Sequence, residues 1–262
     1  MAQNIHYREL DNAKYIQSIA GTFLCYARAL DFTMLTALND IGTTQAKPIE
    51  HALQESQQLM DYAATYPNVK VRYYASDMKL FVDSDAAYLV LPNAKSRIAG
   101  YFYLSSTPPA NQEPILNAPI LVTCKTLRNV VSSAAKAETA GAFINSQLAI
   151  PIRHALESLG HHQPPTPIKS DNSTATGFVN NNMRQKRSKS WDMKYHWLRD
   201  KETQKMIKVH WDKGDNNLAD QHAKHHPTVC HLDFRTNNNN ILRDVNQDAC
   251  RAILHLVNFG KV

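Results

Sequence analysis

Asp83, Glu138, Asp171 and Asp220 are carboxylates far apart in the chain, each at the edge of a segment patterned as a strand or a helix. A fold that gathers such residues at one point builds an oxygen-rich site for a divalent cation, and Mg²⁺ prefers such ligands. Phosphodiester hydrolysis is a chemistry that uses several of them. The backbone is anionic, water is a poor nucleophile and the leaving oxygen is hard to stabilise. Two Mg²⁺ ions about 4 Å apart activate the water and neutralise the leaving group, and Mn²⁺ is an alternative. Singly, each acid has a plainer role: Asp83 in an Asx turn, Glu138 complementing a helix dipole, Asp171 as a cap, Asp220 as a solvated helix residue. Their combination and order carry the reading. Asp85 would point to the same side of a continued strand as Asp83, so it is either a substitute or a second ligand. His210, ten residues before Asp220, is either a proton shuttle at such a site or, among twelve histidines, a satisfied surface group.

The elements that must position these residues are readable from periodicity. Residues 12–66 are predicted helical, with Ile16, Ile19, Ala20, Phe23, Leu24 and Ala27 at three- and four-residue steps, and Leu53, Gln57 and Met60 forming a second row. Gly42 and Pro48 punctuate the two helices. Lys79 to Asp83 is a predicted strand, 98–104 its hairpin partner and 119–124 a third strand. Ser132-Ser133 offers an N-cap for a long helix carrying Glu138 in its first turns, which Pro151 should kink or interrupt. A stiff segment, Pro164-Pro165-Thr166-Pro167, leads to a short strand at 168–170 ending at Asp171. A helix to about 181, another over 190–203, a last strand over 206–211 and a helix near 216–224 complete the order. Three meandering strands followed by helical crossovers give an α/β fold with a mixed sheet. The domains expected are a helical segment over 1–76, the α/β domain over 77–226, and a weakly ordered tail over 227–262.

A chain of 262 residues with 43% hydrophobic content can bury a sizeable core, and its net charge of +6 favours an anionic partner. The four cysteines, Cys25, Cys124, Cys230 and Cys250, form no Cys-x-x-Cys pair. That argues against a zinc ribbon and a disulfide framework and for a reducing, intracellular setting. No signal pattern and no run of roughly 18 apolar residues is present, which argues against secretion and membrane spanning.

Arg184, Lys186, Arg187, Lys189, Lys194, Arg199 and Lys201 crowd one segment, interleaved with Trp191, Tyr195, His196 and Trp197. Such groups bind phosphates and pack on sugars or bases. Arg184, Lys186, Arg187 and Lys189 are expected to face substrate, and Trp197 and Leu198 the core. Asn172 and Ser173, beside Asp171, are placed to hydrogen-bond sugar hydroxyls, the contact that tells RNA from DNA.

Five phrases then form an ordered set: Phe81-Val82-Asp83-Ser84-Asp85, Ser132 to Glu138, Ser170-Asp171-Asn172-Ser173-Thr174-Ala175, Met193 to Asp200, and Asn217 to Lys224. Over about 78–226 the chain resembles the ribonuclease H domain of copia-type retrotransposon polyproteins. Residues 12–76 resemble the helical stretch that joins the reverse transcriptase to that domain. The resemblance implies a ribonuclease H-like mixed five-stranded sheet and cleavage of the RNA strand of an RNA–DNA hybrid. It implies metal ligation by Asp83, Glu138, Asp171 and Asp220, with His210 as the mobile histidine. The reverse transcriptase polymerase domain of the same polyprotein is the implied partner, and a cytoplasmic particle or the nucleus the implied location. Lys136 stands where the family commonly has an acid, and the polymerase's Tyr-x-Asp-Asp motif is absent. Two rivals follow: a catalytically silent nucleic-acid-binding relic, and a resolvase- or integrase-type nuclease on the same architecture.

Overall fold

The computed structural model describes residues 2–45, 50–109, 112–173, 176–177, 189–214, 217–235 and 241–243. Arg184, Lys186 and Arg187, the end of the helix expected after Asp171, and the helical spacing at 245–258 lie outside the described residues. The chain divides into two compact units: Met1–Val71 with Arg235–Val262, and Arg72–Phe234.

In the first unit, α1 (Ala2–Ala29), a 3-10 turn (Phe32–Met34), α2 (Leu35–Thr44) and α3 (Glu50–Thr65) precede β1 (Val69–Val71). Ile16, Ile19, Phe23 and Ala27 form the buried stripe of α1, the three- and four-residue spacing that a single helix face requires. The buried row of α3 is Ala52, Ser56, Leu59, Met60 and Ala63. It is rotated from the expected row, leaving Leu53 half-buried and Gln57 exposed. Ser56 fits inside because it is small and its hydroxyl donates to Ala52 O at 2.7 Å. β1 pairs antiparallel with β7 (Ile241–Arg243). A segment expected as weakly ordered tail therefore returns to the first unit.

The second unit is built on β2 (Lys79–Leu91), β3 (Lys95–Ser105), β4 (Pro119–Thr126), β5 (Thr166–Ser170) and β6 (Ile207–Trp211). Their order is β4-β3-β2-β5-β6. The first three strands meander antiparallel, and β5 and β6 add in parallel. The expected mixed five-stranded sheet flanked by helices is thus observed. α4 (Ala134–Ser158) and α5 (Lys189–Thr203) supply crossovers, and α6 (Asp220–Ala223) and α7 (Thr228–Asp233) follow β6. Leu80, Val82, Phe102, Ile168, Ile207 and Val209 from the sheet pack with Ala142 and Ala149 of α4 and Leu198 of α5. Trp197 meets Phe143 edge-on at 5.1 Å.

Ser133 caps α4, its side chain accepting from Lys136 N. Of the two expected effects of Pro151, a kink or an interruption, the interruption does not occur: α4 runs through it. Pro151 and Gln147, whose carbonyl loses its donor, are both exposed, so the lost hydrogen bond falls on the solvent side. The angular setting of α4 is fixed by the fully buried Asn145. Its Nδ2 donates to Ser84 Oγ at 2.9 Å and Ala99 O at 2.8 Å, and its Oδ1 accepts from Thr123 Oγ1 at 3.1 Å. Three strands thereby hold one helix face, two turns from Glu138. Gly100 makes this possible, since a Cβ there would lie 2.4 Å from Asn145 Oδ1. Gly100→Ala should displace Asn145 and leave its partners unpaired, costing about 2–4 kcal/mol. Urea unfolding followed by circular dichroism will read it as a lower midpoint with an unchanged slope.

Candidate metal and nucleic-acid site

The register of the parallel strands decides which carboxylates meet. Val82 pairs with Ile168 and Asp83 with Lys169, so two residues further on Asp85 lies level with Asp171, just past the end of β5. One carboxylate oxygen each from Asp85, Glu138 and Asp171 lie within 4.8 Å of one another. Glu138 reaches the group from the second turn of α4, its Oε1 accepting from Ala86 N at 3.2 Å. Asp220, at the start of α6, adjoins them: its charge acts on both Asp85 and Asp171, and it hydrogen-bonds Asp85. Asp220 is itself held by Lys224 Nζ at 2.5 Å and His226 Nε2 at 3.3 Å.

Burial holds the Asp85 carboxyl well above the usual carboxylate range, and the charges of Asp220 and Asp171 add to this. Glu138 is raised by burial and then by Asp85 and Asp171, and Asp171 by burial and Asp220. Three acids that resist ionising together form a site that a divalent cation would relieve. Lys136 Nζ donates to Ser132 Oγ at 2.8 Å, on the turn before the helix. The donor set is all oxygen, which fits Mg²⁺ or Mn²⁺.

Of the four acids singled out in the sequence, Glu138 and Asp171 meet in this group together with Asp85, and Asp220 adjoins it. Asp83 stands one pleat behind the group. Its Oδ2 accepts from Leu218 N at 3.1 Å. Burial pushes its carboxyl up to about 6, against the pull of Lys169. His210 pairs with Lys169 across β5 and β6, in the row of Asp83 rather than that of Asp85 and Asp171. Asp83, Lys169, His210, Glu113 and Tyr103 line one cavity of about 190 Å³. Burial and then Lys169 lower the His210 pKa, keeping the ring neutral. His226, two residues past the last recognisable phrase, lies 3.3 Å from Asp220 Oδ2.

Asn172 is half-buried and Ser173 exposed, directly after Asp171. Lys189 opens α5. Within that helix Arg199 lies over Tyr195, at 5.1 Å, and Lys201 over Trp197, at 5.8 Å. Lys194 lies over Phe143, at 5.7 Å, and joins Lys125 and Arg128 around a cleft of about 360 Å³ floored by Ile98, Leu127 and Ile144. Among the described residues no helix is long and apolar enough to cross a membrane.

Fold and site together define an α/β domain with a mixed sheet and an acidic group where the central strand β2 passes the end of β5. Its similarities to solved structures are of that architecture. The N-terminal RNase H domain of a Mycobacterium tuberculosis protein aligns at 12% identity and TM-score 0.38, over 61% of this chain and 96% of that one. LC11-RNase H1, solved with an RNA/DNA hybrid, aligns at 9% and 0.40, over 55% and 92%. The foamy viral protease-reverse transcriptase, solved with double-stranded DNA, aligns at 15% and 0.44, over 77% of this chain and 38% of that one. No family model and no curated protein matches the sequence.

Proposed function

We propose that this chain is a metal-dependent endonuclease that hydrolyses the RNA strand of RNA–DNA hybrids, as the ribonuclease H domain of a copia-type retrotransposon polyprotein. The observation that carries the reading is the convergence of Asp85, Glu138 and Asp171 from three separate elements on one point, with Asp220 beside them. These four carboxylates are the proposed metal ligands, Asp85 taking the place that the resemblance implies for Asp83. Bound Mg²⁺ or Mn²⁺ would supply an activated water and neutralise the leaving oxygen.

The chain's own residues do the rest. Glu138 is oriented by Ala86 N on one oxygen and by the Ser170 hydroxyl on the other. Asn172 and Ser173 stand next to Asp171 to meet sugar hydroxyls. Lys125, Arg128 and Lys194 hold backbone phosphates, joined by Arg184, Lys186, Arg187 and Lys189 from the basic segment. His210 remains in the Asp83 cavity as a neutral imidazole, outside the ligand set. The partner is the polymerase domain of the same polyprotein, and the location is intracellular, in a cytoplasmic particle or the nucleus.

The test is cleavage of a labelled hybrid with Mg²⁺ by wild type and Asp171→Asn. Wild type should cut only the RNA strand and the variant should not; equal cleavage by both would sink the assignment. A silent, hybrid-binding relic is the second reading. It is favoured by one observation, that both Asp220 oxygens already have cationic or imidazole neighbours. Binding with a salt slope but no cutting in either Mg²⁺ or Mn²⁺ would select it.

The triple variant Lys125→Ala, Arg128→Ala, Lys194→Ala should weaken hybrid binding at low salt by roughly tenfold or more. The slope of log K against log salt should become shallower by about one for each phosphate no longer neutralised. Fluorescence anisotropy across a salt series checks both.

A further inference from the structure

Resting on the nuclease reading, we propose that the Trp211 indole is a stacking platform for a base of the strand whose phosphate lies at the carboxylate group. Trp211 ends β6, paired with Ser170, the residue before Asp171. Its Nε1 donates to Asp171 O at 2.9 Å. Yet the residue is 49% exposed. The indole edge is therefore fixed to the backbone of a proposed metal ligand while about half of the residue stays exposed.

The chain beyond Trp211 stays against the same residue. Asp212 N donates to Ser170 O at 3.1 Å. At Gly214 a Cβ would come 3.0 Å from Asp171 Oδ2. Asp171 is thus bonded by the aromatic at its backbone carbonyl and approached closely by Gly214 at its carboxylate, where a Cβ would be tight.

An indole with its one polar group satisfied internally has no hydrogen bond left to offer a ligand. What it presents is an aromatic face in a fixed orientation. A partner meeting that face does not have to freeze a mobile side chain first. The neighbouring acids select the partner: whatever reaches them carries a phosphodiester, and the flat group covalently nearest a phosphodiester is its nucleotide's own base. Stacking uses the π-face common to all bases, so Trp211 holds the strand without reading its sequence.

The experiment compares wild type, Trp211→Phe and Trp211→Ala, each carrying Asp85→Asn so that binding is read without turnover. A labelled RNA–DNA hybrid is titrated by anisotropy, and tryptophan emission is recorded in parallel. Trp211→Ala should bind roughly ten- to hundredfold more weakly, while Trp211→Phe, which keeps a ring but loses the bond to Asp171 O, should stay within about threefold. Hybrid should quench a part of the wild-type emission that is missing in Trp211→Phe, where only Trp191 and Trp197 remain.

Equal quenching in both proteins would overturn the platform. So would Trp211→Phe binding as weakly as Trp211→Ala, since the residue would then act only through its hydrogen bond. If Trp211→Ala fails to fold, the quenching comparison decides alone. The nuclease reading fails separately, when wild type binds hybrid but never cuts it, an outcome that leaves the quenching result standing.

Discussion

Asp85→Asn should lower Mg²⁺-dependent hybrid cleavage by about 10³-fold, while Asp83→Asn should keep activity within about tenfold of wild type. The two acids are two residues apart on one strand, and only the first faces Glu138 and Asp171. Asp83 accepts a hydrogen bond from Leu218 N, and an asparagine amide oxygen can still do so. Stability should move the other way. The Asp83 carboxyl rises from 3.8 to about 6 in the folded state, chiefly through burial. Its protonated form is therefore the one the fold prefers. That preference contributes fully below about pH 4 and is lost as pH rises through about 6. Asp83→Asn, which cannot ionise, should thus be more stable than wild type by up to about 3 kcal/mol at pH 8 and by little at pH 4. Thermal melts in EDTA across that range check the sign. A variant that is less stable at pH 8 would show that the Asp83 charge is favourable to the fold.

Arg235→Ala should destabilise the first unit by about 3–5 kcal/mol, the usual result of leaving one member of a buried ion pair alone. Arg235 Nη1 lies 2.5 Å from Asp31 Oδ2 and 2.7 Å from Tyr62 Oη, and the guanidinium lies over the Tyr62 and Tyr66 rings. Asp31 is 1% exposed, so without the arginine it keeps the Thr33 hydroxyl but, among the described residues, no ion-pair partner. The paired change Asp31→Asn with Arg235→Met should recover much of the loss, because neither partner is then left charged and alone. Urea unfolding of the single and paired variants measures the difference. A loss under 1 kcal/mol for Arg235→Ala would mean that water reaches Asp31.

The contrast between these sites explains what could be read in advance. The sheet was legible because its strands are short apolar runs bounded by turn residues, and the long helix because Ser133 caps a clean apolar face. Glu138, Asp171 and Asp220 were legible as carboxylates at element edges. The choice between Asp83 and Asp85 was not, since both point to the same side of β2. Only the register against β5, a pairing of residues more than 80 apart, sets Asp85 level with Asp171, just past the end of β5. His210 was legible only through its distance along the chain from Asp220, and its ladder partner, Lys169, places it in the Asp83 row. The Asp31–Arg235 pair spans 204 residues, and no local pattern in a helical segment or a polar tail announces it.

The most direct test is where the metal goes. Crystals grown with Mn²⁺ and a hybrid, using anomalous scattering to locate the ion, should place density between the carboxylates of Asp85, Glu138 and Asp171. Density at Asp83 and His210 instead, or none at a Mn²⁺ concentration that saturates cleavage, would contradict the account.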